Sequence, residues 1–212
     1  MKSINDKKIP KSVIERIPLY ADYLDKSIKN NVETISATTI SQEIGLGEVQ
    51  VRKDLNVISG KGRPKVGYNT MDLRKDVEEL IRSERHTNVV IVGAGKIGEA
   101  LANYNGFEES GFDILAVFDN DNNKIGKSIS KKPILPDEDL NKYCTDNNVE
   151  MIMLAVPSDE AQNVCDSIKS ESVQGILNFT KQKLNVSENI CVKNVDIASL
   201  LVMLAVEIRN KK

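Results

Sequence analysis

The 212-residue chain has no tryptophan, only four phenylalanines and five tyrosines, and a single histidine, His86. Leu, Ile and Val must therefore fill its interior, and chemistry that depends on imidazole has one candidate. Its three cysteines, Cys144, Cys165 and Cys191, lie far apart without CxxC spacing. That speaks against a disulfide framework or a zinc site, so no metal is expected and the thiols are read as small core hydrophobes. Long apolar runs are missing too. The longest, Met151 to Val156, falls far short of the roughly 20 residues that cross a bilayer. The amino end, MKSINDKKIPKS, carries charge with no apolar stretch behind it and does not read as a secretory signal. The expectation is a cytoplasmic protein with no membrane partner.

The net charge of −2 conceals an asymmetry: residues 1–70 carry +4 and the remainder −6. A basic head on an acidic body suggests that the head faces nucleic acid. The head opens with apolar residues at helical spacing from Pro10 to Lys29, broken by Pro18, where a kink is expected. Thr39 and Gln42 read as a capping box opening a short helix that ends at Gly45. A further helix, about Glu48 to Ile58, turns Val51, Leu55 and Ile58 inward and leaves Gln50, Arg52 and Lys53 outward. Glycines and a proline between Ser59 and Tyr68 preclude a helix and predict a short hairpin tipped by Lys61, Arg63 and Lys65. Asp72 to Arg85 is again helical, with Leu73, Val77, Leu80 and Ile81 on one face.

This order is that of a winged helix-turn-helix. A helix fits the DNA major groove, where Gln pairs with adenine and Arg with guanine edges. The candidate DNA-binding residues are thus Gln50, Arg52 and Lys53 on the helix, with Lys61, Arg63 and Lys65 on the wing for phosphate or minor-groove contact. Five cations between Arg52 and Lys65 face one anion, Asp54. The competing reading is a solvated charged surface over a structural helical hairpin.

From Thr87 the pattern becomes apolar strands alternating with helices, which means a parallel sheet covered on both faces. Strands are expected at Asn88–Val92, Asp113–Phe118, Met151–Val156 and Gly175–Phe179. The first runs into Gly93-Ala94-Gly95-Lys96-Ile97-Gly98, a GxGxxG set between strand and helix as dinucleotide binding requires. Gly93 serves the tight turn, Gly95 the approach of a pyrophosphate, and Gly98 the packing of helix on strand. Asp119, at the end of the second strand and 21 residues after Gly98, would accept hydrogen bonds from ribose hydroxyls and repel a 2′-phosphate, favouring NAD(H) over NADP(H). Asn120, Val156, Pro157 and Phe179 complete the candidate cofactor site. A methyltransferase site for S-adenosylmethionine uses a similar loop and stays open as a rival ligand. The last helix, Ala198 to Asn210, is apolar on nearly all sides and is expected to pack on a second subunit.

Taken together, the two halves resemble the Rex family of redox-sensing transcriptional repressors. The likeness rests on Gln50-Val51-Arg52-Lys53-Asp54-Leu55 and Val66-Gly67-Tyr68 in the head. In the body it rests on the glycine loop, Asn103-Tyr104-Asn105-Gly106-Phe107, Phe118-Asp119, Ala155-Val156-Pro157, Gly175-Ile176-Leu177-Asn178-Phe179 and Asn194-Val195-Asp196. The resemblance implies a homodimer that binds palindromic double-stranded operator DNA when NADH is low and leaves it when NADH binds. It also implies that the terminal helix is exchanged between subunits, and that Arg16, Tyr104 and Asp196 form an interdomain switch. Many members carry Lys-Arg-Gly at the wing where this chain has Arg63-Pro64-Lys65, so operator preference is expected to differ.

The expected fold is α/β: a winged-helix DNA-binding domain over residues 1–85, a Rossmann-type NAD(H)-binding domain over 86–196, and a dimerisation helix over 197–212. Phe107, Phe179 and Ile197 are expected around the nicotinamide, where an apolar wall would favour neutral NADH over the NAD+ cation. The alternatives are an NAD-dependent dehydrogenase, a winged-helix repressor sensing another nucleotide, and a CoA-binding or oligomerisation module without DNA function. A dehydrogenase usually needs a placed acid or base, and His86 precedes the first strand, at the wrong end of the sheet. The expectation is therefore a regulator without enzymatic activity.

Overall fold

The computed structural model describes residues 9–81 and 86–210. Two compact units divide the chain, Met1–Glu84 and Arg85–Lys212. The expected extension of the last head helix to Arg85, and the boundary placed there, lie outside the described residues.

The first unit is built from short helices and a two-stranded sheet. Helices α1 (Lys11–Ile14) and α2 (Ile17–Lys29) are followed by β1 (Thr34–Ile35), α3 (Ala37–Ile44), α4 (Glu48–Ile58), β2 (Tyr68–Asn69) and α5 (Thr70–Ile81). Two sequence expectations are corrected here. The Pro10–Lys29 segment is not one helix kinked at Pro18, because it breaks at Glu15–Arg16 and Pro18 lies in the first turn of α2. Proline is accommodated there since a first-turn N–H has no helical partner to lose. The cap of α3 is Ser36 rather than Thr39: the Ser36 backbone is extended and its Oγ accepts the Thr39 N–H at 3.0 Å. Gly45 closes that helix in the left-handed conformation, as expected of a C-terminal glycine. Tyr20, Leu24, Ile40, Val51, Leu55 and Val77 are fully buried and join these helices into one core.

The wing expected between Ser59 and Tyr68 is held by a single antiparallel bridge, Arg63 to Gly67. Tyr68 does not pair across a hairpin; it pairs with Ile35 of β1, a strand too short to read from the sequence. Gly67 has φ of +92°, and a Cβ there would collide with the carbonyl of Ile35.

In the second unit, seven strands form one sheet in the order β5-β6-β4-β3-β7-β8-β9. They are β3 (Thr87–Val92), β4 (Phe112–Asp119), β5 (Ser128–Ile129), β6 (Lys132–Pro136), β7 (Met151–Leu154), β8 (Gly175–Asn178) and β9 (Cys191–Asn194). All neighbours are parallel except the β5–β6 pair. Helices α6 (Lys96–Ala102), α7 (Gly106–Glu109), α8 (Leu140–Asp146) and α9 (Ala161–Ser167) connect them, and α10 (Ile197–Asn210) ends the unit. Alternate residues of the central strands serve two separate cores, Val90, Val92 and Phe118 one, Val89, Ile91 and Val117 the other. That is why these strands read as unbroken apolar runs. After β3, the chain builds outward through β4 and β6 and then returns to the other side of β3 for β7. The reversal creates a crevice at the carboxyl ends of β3 and β7, the usual place for a ligand in such a sheet.

Candidate functional site

Gly93 leaves β3 with φ of +104°, and a Cβ on it would stand 2.5 Å from the carbonyl oxygen of Ala155, which follows β7. Only glycine permits the two chains to approach so closely at the crevice. Gly98 is buried against the loop, and a Cβ on it would strike the carbonyl of Gly93. Gly95 differs: a Cβ there would meet nothing within 4 Å. Two glycines thus shape the loop, while the third leaves open space in front of the first turn of α6. Bare backbone borders that space, as an anion-binding turn requires. Lys96 and Ile97 follow on the exposed side of the turn.

Asp119 ends β4 with its side chain 8% exposed. Oδ2 accepts the Ala94 N–H at 2.7 Å and lies 3.0 Å from Lys124 Nζ, while Oδ1 accepts the Asp121 N–H at 2.8 Å. Burial opposes its charge, but the bonds from Asp121, Lys124 and Ala94 outweigh that and hold the carboxyl below the usual carboxylate range. The sequence reading missed Lys124, whose only signal was a lysine five residues beyond an acidic strand end. Asn120 is exposed beside Asp119, Val156 is half-buried after β7, and Pro157 is exposed.

A cavity of about 1030 Å³ opens beside α6. Lys96, Ile97, Tyr104, Phe107, Phe179 and Ile197 are among its walls, together with Lys181, Lys183 and Asp196. The residues expected around a nicotinamide are therefore brought together, and cations are added that the sequence reading did not include. Tyr104 packs edge-on against Phe107 at 5.0 Å. Asp196 caps α10 through the Ser199 N–H and Oγ, and these bonds hold its carboxyl below the usual range.

In the first unit, α4 carries the candidate base-reading residues. The structure revises how its charges stand. Asp54 is no surface anion: its side chain is 1% exposed. It accepts from Arg16 Nε at 2.6 Å, from Arg16 Nη2 at 2.9 Å, from Tyr20 Oη at 2.7 Å and from the Gln50 amide at 2.7 Å. Gln50 is thus committed to Asp54 rather than held out free. Arg52 pairs with Glu48 one turn back at 2.5 Å, and Lys61 pairs with the buried Asp76 at 2.5 Å. Lys53, Arg63 and Lys65 are exposed and have no acidic partner among the described residues. Lys65 sits at the wing tip with φ of +62°.

Comparison with known proteins gives these features a context. The chain is 40% identical over 202 residues to the redox-sensing transcriptional repressor Rex of Carboxydothermus hydrogenoformans, covering 95% of this chain and 97% of that protein. Rex of Clostridium acetobutylicum is 36% identical, with 94% of this chain and 93% of the relative covered. The chain belongs to the Rex family. Two family profiles match in succession, one of a DNA-binding protein N-terminus over residues 8–56 and one of a CoA binding domain over residues 84–182. Among solved structures, the Rex-family repressor RSP is 29% identical and superposes with a TM-score of 0.88 over 97% of this chain and 96% of its own. RSP in complex with NAD+ and operator DNA superposes at 0.89, and in complex with NADH at 0.86. The fold is thus a DNA-binding head followed by a Rossmann-like body, as the Rex resemblance implied.

Two further expectations bear on chemistry in this Rex-family chain. His86 lies just before β3, its Nδ1 2.9 Å from Asp113 Oδ1, at the amino edge of the sheet. The crevice is at the carboxyl edge, the length of a six-residue strand away, roughly 20 Å. Cys144 and Cys165 are buried, which pushes each thiol up to about 11, whereas Cys191 is exposed rather than a core residue. No helix among the described residues is long and apolar enough to cross a membrane, and no group of side chains there is suited to hold a metal ion.

Proposed function

We propose that the protein is a repressor that binds operator DNA with its first unit and NAD(H) with its second, and that leaves the DNA when NADH binds. The observation that carries this is the glycine loop at the strand reversal, with Asp119 beside it, in a chain that matches over 97% of its length a repressor crystallised with NAD+, NADH and operator DNA.

In this reading Gly93, Ala94, Gly95 and Gly98 seat the diphosphate. Asp119 takes the adenosine ribose, with Asn120, Val156 and Pro157 around it. Lys124 must then yield its place on Asp119 to the sugar hydroxyls. The nicotinamide enters the large cavity near Phe107, Phe179 and Ile197. NAD+ and NADH differ by one hydride and the charge of that ring. Lys96, Lys181 and Lys183 line the same cavity as these aromatic walls, and both apolar and cationic surroundings disfavour the charged ring. Only such a difference in affinity allows one cofactor, and not the other, to shift a conformational equilibrium.

On DNA, Lys53, Arg63 and Lys65 are the cations free to meet phosphates or the minor groove. Arg52 reads a base edge by leaving Glu48, which costs little because the pair is exposed. Gln50 and Lys61 contribute only by exchanging Asp54 and Asp76 for DNA. Arg16, Tyr104 and Asp196 are proposed to couple cofactor to DNA, each giving up the local partner described above. The active form is a homodimer joined through α10, and the site of action is the cytoplasm. His86 stands at the opposite edge of the sheet. Lys96, Tyr104 and Asp196, which do line the nicotinamide cavity, are assigned here to the phosphates and the switch. In this reading the protein regulates and does not turn over its cofactor.

The test is to select the tightest-binding duplexes from random palindromic DNA and then titrate NADH and NAD+ separately against the best. Release by NADH at concentrations where NAD+ does little is expected. Robust turnover of NADH with carbonyl substrates, or DNA binding indifferent to both cofactors, would overturn the proposal.

A further inference from the structure

The wing stands on side chains more than on backbone. Between Lys61 and Gly67, every backbone hydrogen bond among the described residues lies within Arg63–Gly67, and the incoming arm, Lys61 and Gly62, makes none. A hairpin of this size is marginal by itself, so side chains decide where it stands. One is the ring of Tyr68, packed so closely over Gly62 that a Cβ there would lie 2.6 Å from it. Another is Asp76 of α5.

Asp76 joins three parts of the head. Its side chain is 3% exposed. Oδ2 accepts from the hydroxyl of Ser59, which ends α4, and Oδ1 accepts from Lys61 Nζ at 2.5 Å. One carboxylate thus binds the end of the candidate recognition helix and the root of the wing to α5. Lys61 has two reasons to keep this partner in front of DNA. Giving it up would leave a buried carboxylate without a counter-charge, which is strongly unfavourable. The exposed pair of Arg52 and Glu48 carries no such penalty. Lys61 also lies among anions: the bond to Asp76 raises its ammonium above the ordinary lysine value, and the charges of Asp76, Glu79 and Asp72 add to this against burial. A phosphate drawn toward Lys61 would meet those carboxylates as well.

We propose that Asp76 is a positioning residue for DNA recognition: by holding Lys61 and Ser59 it fixes the root of the wing, so that Arg63 and Lys65 meet the duplex and Lys61 does not. A buried anion in a DNA-binding head then supports specific binding instead of opposing it. This rests on the repressor reading given above and denies Lys61 the exchange named there.

The test uses the full chain, the operator duplex selected as described above and a scrambled duplex of equal length, read by fluorescence anisotropy over a salt series. Asp76→Asn removes one negative charge from the head. If Asp76 merely withheld Lys61 from DNA, this variant would bind both duplexes as tightly as the parent or more tightly. With Asp76 as a positioning residue, operator affinity is expected to fall about tenfold, the worth of one base contact, while scrambled DNA is bound as well as before or better. Ser59→Ala, which loosens the same anchor without changing charge, should lower affinity for the operator and not for scrambled DNA. Lys61→Gln, whose amide can still donate to Asp76, should keep the parent's slope of log affinity against log salt, whereas loss of a phosphate contact would reduce that slope by about 1. Because the Lys61 side chain is 63% exposed, this last measurement does not depend on Asp76→Asn folding. Undiminished operator binding by Asp76→Asn, an equal loss on both duplexes, or a reduced slope in Lys61→Gln would each overturn the proposal. A parent that does not prefer the operator to scrambled DNA would overturn the repressor reading itself, and this role with it.

Discussion

Asp54 gathers four donors around one carboxylate, and its neighbours come from two helices: Arg16 and Tyr20 at the start of α2, Gln50 one turn away on α4. Burial opposes its charge, but the bonds from Arg16, Tyr20 and Gln50, with the charge of Arg16, hold its pKa below the ordinary value. Arg16 is raised, chiefly by its bond to Asp54, and burial pushes the Tyr20 phenol upward. Removing one partner of such a pair leaves an uncompensated charge and typically costs several kcal/mol. Asp54→Ala is therefore expected to lower stability by about 3 kcal/mol in urea unfolding, with the loss confined to the first unit. The folded pKa is depressed, so this stabilisation is complete above the unfolded value of about 4 and disappears as pH falls through the folded one. A pH series from 6 downward, at roughly half-unit steps, should show the variant and the parent converging toward acid. From the sequence alone Asp54 was a lone anion among cations, because nothing in the order of residues announces a partner 38 positions away.

At the scale of elements, the glycine loop was the most legible feature, since its strand, turn and helix are contiguous and each glycine has a local task. Even so, the structure separates the tasks further than the motif does. Gly98→Ala puts a methyl group into the carbonyl of Gly93 and should destabilise the second unit by about 2–4 kcal/mol through strain and repacking. Gly95→Ala meets nothing in the protein, and its backbone, with φ of −80°, suits any residue. It should leave the melting temperature nearly unchanged while abolishing detectable NADH binding. Calorimetry of unfolding together with NADH titration checks both; equal loss of stability in the two variants would remove the distinction. Elements made of two residues, such as β1 and β2, were not legible. Too few side chains alternate in them to reveal a period, and they exist because Gly67 lets Tyr68 lie against Ile35. The helix break before Pro18 and the cap at Ser36 were misplaced by two or three residues for a similar reason. Several residues satisfied the local rule, and packing chose among them.

At the scale of the whole molecule, α10 is the unfinished part. Consecutive residues Leu201 and Val202 are 63% and 64% exposed, and no residue of the helix is buried. Apolar surface of this extent on every side of a helix needs cover that a single chain does not supply. If α10 joins two copies of the chain, as proposed, the parent should sediment at equilibrium as a dimer. Replacing Leu200 and Leu204 by aspartate should leave a 23.5 kDa monomer; a monomeric parent would overturn the proposed dimer. Operator affinity should fall by about 10²-fold or more as two half-sites cease to be bound together. The head supplies a separate check. If Lys53 meets a phosphate, Lys53→Ala should weaken binding evenly across sequences and reduce the slope of log affinity against log salt by about 1. An unchanged slope would place Lys53 away from the DNA.

By itself, the sequence determined the class of each half, the parallel sheet, the glycine loop and its acidic companion. All of these are written in periodicities and spacings of a few residues, where backbone geometry leaves little choice. It also marked α10 as a helix without a polar face. What the tertiary structure decided was the pairing of charges and the shape of empty space. Gln50, Arg52 and Lys61 looked free and proved engaged with Asp54, Glu48 and Asp76. Lys124 came onto Asp119 unannounced, and Asp137 carries a buried oxygen with no hydrogen-bond partner among the described residues. Charges act through distance in space, and distance in space between remote residues is set by packing, which no single stretch of sequence contains.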